Sequence, residues 1–100
     1  MVVEIGGSRI DYVVLYKLLK ILYEKSMSSY VSVFELFNEY RKVSGVKVSY
    51  EKFRHHIDYA KEKELIEVRG ERPQVLVITK KGIDFLFLFD RIKELVSESF

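Results

Sequence analysis

The stretch 65-LIEVRGERPQVLVITKKGIDFL-86 changes its hydrophobic period within a few residues. LIEVR and QVLVI are rich in β-branched residues and are separated by GERP, a turn signal, so together they read as a β-hairpin. Pro73 has no N–H for a ladder and belongs at the turn or on an edge. Thr79 then caps a helix over about 80–97, in KKGIDFLFLFDRIKELVS. FLFLF alone would also suit a buried strand, but the segment's length and the spacing of Ile92, Leu95 and Val96 favour helix. A hairpin needs only the glycine at its turn. Arg69 and Arg72, which flank Gly70 and Glu71, need a different reason.

Upstream the period is helical. Ser8 with Asp11 forms a capping-box pattern ahead of Ile10, Val13, Val14, Leu18, Ile21 and Leu22, which predicts a first helix over about 9–25. Gly6-Gly7 lacks the Lys-Ser/Thr of a phosphate loop and reads as a joint to an N-terminal arm over residues 1–7. Tyr30 and Val31 suit a short strand. Ser32 with Glu35 is a second capping box, and Phe34, Phe37 and Tyr40 place a short helix over about 33–42. After the breaker at Val43-Ser44-Gly45, Ser49 caps a third helix over about 50–63. Phe53, Ile57, Ala60 and the trailing Leu65 share its apolar face. Glu51, Lys52, Arg54, His55, Asp58, Tyr59 and Glu62 lie on the other.

The order is helix, short strand, helix, helix, hairpin, helix, which predicts an α+β, mainly α fold in one domain spanning 1–100. The second and third helices form a helix-turn-helix and the hairpin follows as a wing, the layout of a winged helix-turn-helix. In such folds the second helix of the pair enters the major groove of DNA. A basic hairpin tip lies on flanking phosphates, where each cation releases counterions and adds affinity. That gives Arg69 and Arg72 their reason. Charge is segregated accordingly. Residues 41–56 hold five basic side chains against Glu51, and residues 69–81 hold four against Glu71. The whole chain carries only +2, so the remainder is net negative. The residues expected to contact DNA are Lys47, Ser49, Lys52, Arg54, His55 and Tyr59 on or before the third helix, Arg69 and Arg72 on the wing, and Lys80 and Lys81 behind it.

Leu65-Ile66 entering the first wing strand, and Thr79-Lys80-Lys81-Gly82 opening the last helix, resemble small archaeal winged-helix DNA-binding proteins. That group includes chromatin-associated and virus-encoded members and relatives of MarR, PadR and ArsR-type regulators. The resemblance spans about residues 10–97 and implies a dimeric binder of double-stranded DNA, a transcription regulator or chromatin protein, associated with the nucleoid in the cytoplasm. One position departs from the pattern. Glu64 stands where that group usually has a glycine, at the left-handed turn that ends the third helix.

Other readings are weaker. Cysteine is absent, which excludes disulfides and thiolate chemistry. His55-His56 are adjacent, so their side chains diverge by about 100° and cannot easily share an ion. No nucleophile has an evident base, and no pattern for catalysis, a metal, a cofactor or a small-molecule ligand is present. The run IDYVVLYKLLKILY is broken by Asp11, Lys17 and Lys20, so no membrane span is expected. Asn38 and Gln74 are the only side-chain amides, an avoidance in keeping with a thermophile.

Nine of the fourteen residues from Ile83 to Val96 are apolar, more than one buried face requires. The first helix has a similar excess in Tyr12, Leu15, Tyr16 and Leu19. The expectation is a two-fold homodimer built on these residues together with Phe85, Leu88, Phe89, Ile92, Leu95 and Val96. The alternative is a winged-helix protein-protein interaction module without DNA binding, to which the carboxylates on the third helix point.

Overall fold

The computed structural model describes residues 2–5, 8–45 and 48–96. Its first helix, α1 (Tyr12–Ser26), starts three residues later than the hydrophobic period suggests. The cap is Asp11, whose carboxylate accepts from the amides of Val13 at 2.9 Å and Val14 at 3.5 Å. Residues before it are extended. β1 (Val2–Ile5) pairs antiparallel with β2 (Ser8–Asp11), with Val2 opposite Asp11 and Ile5 opposite Ser8. The backbone of Ser8 belongs instead to a ladder whose partner strand a helical period does not reveal. Most of the expected N-terminal arm is strand β1, and Gly6-Gly7 lies outside the described residues.

α2 (Val33–Ser44) starts at its expected cap, with the Glu35 amide donating to Ser32 Oγ at 3.1 Å. It runs two residues further than expected, to Ser44, and Gly45 with φ +66° ends it in the left-handed region. α3 (Tyr50–Glu62) is capped by Ser49, which accepts from the Lys52 amide at 3.1 Å. The expected strand at Tyr30 and Val31 reduces to one bridge, in which the Leu76 amide donates to the Val31 carbonyl at 2.8 Å.

β3 (Ile66–Arg69) and β4 (Val75–Ile78) form the antiparallel hairpin, with Arg69 opposite Val75. The five residues 70–74 connect them, and the Arg72–Pro73 peptide is cis. α4 (Lys80–Val96) follows at once. The join between α3, the hairpin and α4 is tightly tied. The Leu65 amide donates to the Ala60 carbonyl at 2.9 Å and the Glu64 amide to Lys61 at 3.1 Å, a Schellman closure of α3. Glu64 occupies its left-handed position with φ +62°, although it is not glycine. The Thr79 hydroxyl donates to the Glu64 and Leu65 carbonyls and accepts from the Gly82 amide at 3.1 Å. Gly82 packs so closely that a Cβ there would lie 2.2 Å from the Leu65 carbonyl oxygen.

α1 is the central element. Leu15, Leu18, Leu19 and Leu22 are buried against residues from α2, α3, β4 and α4, including Leu36, Phe53, Ile57, Leu76, Leu86 and Phe89. His56 is the one buried polar side chain among the described residues. Its Nε2 accepts from the Asp11 amide at 3.0 Å and its Nδ1 meets the Lys52 carbonyl at 2.8 Å, so the neutral ring pins α3 to the start of α1. The fold is mainly helical α+β. Among the described residues no helix is long and apolar enough to cross a membrane.

Candidate nucleic-acid interface

The start of α3 carries Ser49 and Lys52, both exposed, and Arg54 and His55, both half-exposed. Ser49 uses its oxygen as the cap acceptor, which leaves its hydroxyl hydrogen able to donate outward. Lys52 is exposed and its ammonium has no partner among the described residues. Arg54 is half-exposed and pairs with Asp58 one turn on, at 3.5 Å. An exposed pair of this kind is worth only a few tenths of a kcal/mol, about 0.3–0.5, so a phosphate could displace it. His55 is half-exposed. Lys47 lies outside the described residues.

Tyr59, one turn on from His55, is also half-exposed and is engaged within the chain. Its hydroxyl is hydrogen-bonded to the Tyr12 hydroxyl at 3.1 Å and the two rings meet edge-on. Burial, aided by that hydrogen bond, pushes the Tyr59 hydroxyl up to about 12, so it stays protonated. The side chain ties α3 to α1.

On the hairpin, Glu67 and Arg69 alternate outward while Ile66 and Val68 turn toward the core. Arg69 is neutralised in part by Glu67, at 3.2 Å. Arg72 stands exposed in the 70–74 loop with no ion-pair partner among the described residues. Lys80 and Lys81 lie elsewhere. They border a shallow hollow with Lys61, Glu64 and Glu67 at the C-terminal end of α3, about a full helix length of 18 Å from Ser49. Lys61 completes a group of three lysines there. Its proximity to Lys80 and Lys81 arises only through the tight join.

The expected dimer surface divides. Leu15, Tyr16, Leu19 and Phe89 are buried in the chain's own core and so cannot face a second copy. Tyr12 is half-buried on Tyr59. Phe85 is partly covered against Phe89, with ring centroids 5.7 Å apart. On α4 the residues left open are Phe87, Leu88 (67% exposed), Ile92, Leu95 (71%) and Val96. Phe85, Leu88, Ile92 and Leu95 are spaced three, four and three apart, the period of a two-helix seam.

The crystal structure of AF1382 from Archaeoglobus fulgidus superposes on this fold with a TM-score of 0.61, at 19% sequence identity, covering 90% of this chain and 93% of that chain. At that identity the likeness is one of fold, and it extends over nearly the full length of both chains. No protein-family model and no curated protein sequence matches the chain.

Proposed function

We propose that the chain is a winged-helix protein that binds double-stranded DNA as a homodimer, serving as a transcription regulator or chromatin protein. The observation that carries this reading is the placement of Lys52 and Arg72, two exposed cations without described partners. One stands on the first turn of α3 and the other on the loop of the hairpin that follows it. In this reading α2 and α3 are the helix-turn-helix, β3–β4 is the wing, and the single Val31–Leu76 bridge is the vestige of the third wing strand. Ser49 donates to a phosphate at the helix start, Lys52 and Arg54 face the groove, and Arg72 anchors the wing. Glu51, Asp58 and Glu62 balance Lys52, Arg54 and Lys61 of α3, so phosphate anchoring supplies more of the affinity than base readout does. The seam on α4 supplies the two-fold contact that would set two α3 helices about 34 Å apart, one turn of the duplex.

The second reading, a protein-protein module, is favoured by the internal pairs Arg54–Asp58 and Arg69–Glu67, which cancel basic charge before any phosphate arrives. Fluorescence anisotropy of a random-sequence duplex over a salt series separates the two. DNA binding requires affinity that falls steeply with salt. Arg72→Ala should reduce the log–log slope by about 0.9, and Arg69→Ala by less, because Glu67 already neutralises part of its charge. Absence of duplex binding at low salt would leave the protein-protein module as the reading to pursue.

A further inference from the structure

Three aromatic rings close on one another where α2 meets α3. Tyr50, the first residue of α3, meets Phe37 of α2 edge-on, with 5.0 Å between centroids, and lies tilted against Phe53 at 5.9 Å. Phe37 and Phe53 are themselves 5.0 Å apart, and both are buried. Tyr50 is not. Its exposure is 47%, and its hydroxyl has no hydrogen bond among the described residues. Two buried neighbours therefore hold this ring in place while much of it stays open to solvent.

Basic side chains accompany the trio. Arg41, in the last turn of α2, sets its guanidinium over the same Phe37 ring, 5.5 Å from the centroid. It is exposed and has no ion-pair partner among the described residues. Arg54 follows Tyr50 by four residues, so the two are neighbours on one stripe of α3. When a helix-turn-helix docks on DNA, its first helix crosses the phosphate backbone and the N-terminal residues of its second helix contact base edges. Tyr50 opens that second helix, and Arg41 offers a phosphate contact from the first.

We infer that Tyr50 reads the 5-methyl group of thymine in the major groove. This names a base-reading residue for the DNA-binding surface proposed above and rests on that reading. Among the bases only thymine presents a methyl group there, whereas guanine, adenine and cytosine present polar edges. What the fold holds ready at Tyr50 is the ring. The hydroxyl is a rotor that no neighbour orients, so an apolar contact is pre-formed and a directed hydrogen bond is not.

Alternating duplexes repeat one step at every register, so the test needs no target sequence. The probes are a dA–dT duplex, its dA–dU counterpart without the methyl, a dG–dC duplex, and its 5-methyl-dC counterpart with the methyl restored. Each is titrated by fluorescence anisotropy at one low salt concentration. The wild type should bind dA–dT about three- to fourfold more tightly than dA–dU, the factor for burying one methyl-sized group, and should prefer 5-methyl-dC over dC in the same sense. Tyr50→Phe should keep that ratio and Tyr50→Ala should bring it to about one. The ratio compares two duplexes on one protein, so a less stable alanine variant does not alter it. Equal wild-type affinity for dA–dT and dA–dU, a ratio that survives in Tyr50→Ala, or a ratio lost in Tyr50→Phe would each overturn the assignment while leaving DNA binding in place. Failure to bind any of these duplexes would overturn the assignment together with the DNA-binding reading.

Discussion

Replacing Gly82 with alanine adds one methyl group to the first turn of α4, where alanine is ordinarily the better residue by about 1 kcal/mol. Here the sign should reverse. The new Cβ would lie 2.2 Å from the Leu65 carbonyl oxygen and 2.7 Å from Ile78 Cγ1, so α4 and the Leu65 backbone must separate by about 1 Å to restore normal contact. Leu65 cannot yield freely, because its carbonyl accepts from both the amide and the hydroxyl of Thr79 at 3.0 Å. Overpacking of this kind costs about 1–3 kcal/mol. Stretching the Thr79 bonds adds about 1 kcal/mol for each one lost. After the helix-propensity gain is deducted, Gly82→Ala should destabilise the protein by about 2–3 kcal/mol, or some 10–20 °C in melting temperature for a domain of this size. Urea unfolding followed by circular dichroism should show a lower midpoint with an unchanged m-value. Gly45→Ala is the contrasting control. Nothing lies within 4 Å of a Cβ there, so only the φ of +66° resists it, at about 1 kcal/mol. A Gly82→Ala protein as stable as wild type would refute the close approach of α4 to the end of α3.

Three further outcomes are expected. Glu64→Gly relieves a left-handed residue at φ +62° and should raise stability by about 0.5–1 kcal/mol, read as a higher urea midpoint. A lower midpoint would count against the Schellman geometry. Burial lowers the His56 imidazole below its usual 6.5, and a proton on Nε2 would face the Asp11 N–H, so the folded state takes up that proton later than the unfolded chain. Stability should therefore be intact above about pH 6.5 and decline as pH falls below it, and His56→Gln should remove that part of the slope. Leu95→Glu, at a side chain 71% exposed on the α4 seam, should convert a dimer to a monomer in analytical ultracentrifugation with little change in unfolding. A wild-type protein that sediments as a monomer at high concentration would remove the dimer from the proposal.

Much of the architecture was legible because its signals are local. Ser32, Ser49 and Thr79 cap where side-chain chemistry requires, and GERP marks the hairpin. What failed depended on contacts distant in sequence. Ser8 with Asp11 reads as a capping box, and only the pairing of β2 with β1 shows that Ser8 lies in a strand and that Asp11 is the cap. Leu15, Tyr16 and Leu19 show that α1 is apolar over a wide arc, but the sequence does not tell whether a second copy or this chain's own helices cover it. Tyr59 shares the polar side of α3 by period and is drawn inward by Tyr12. Glu64 gives no hint of a left-handed turn, since that position is normally signalled by glycine. Tyr16 on α1 meets Asp90 and Lys93 of α4, more than seventy positions away, which no local pattern brings together.

The most direct test of DNA binding is a ¹H–¹⁵N NMR titration of the wild-type protein with a short duplex at low salt. Expected are shifts and broadening confined to Ser49–Arg54 and to the loop around Arg72, reversed by added salt. An unchanged spectrum, or changes confined to the exposed face of α4, would contradict the assignment of α3 and the hairpin as a DNA-binding surface.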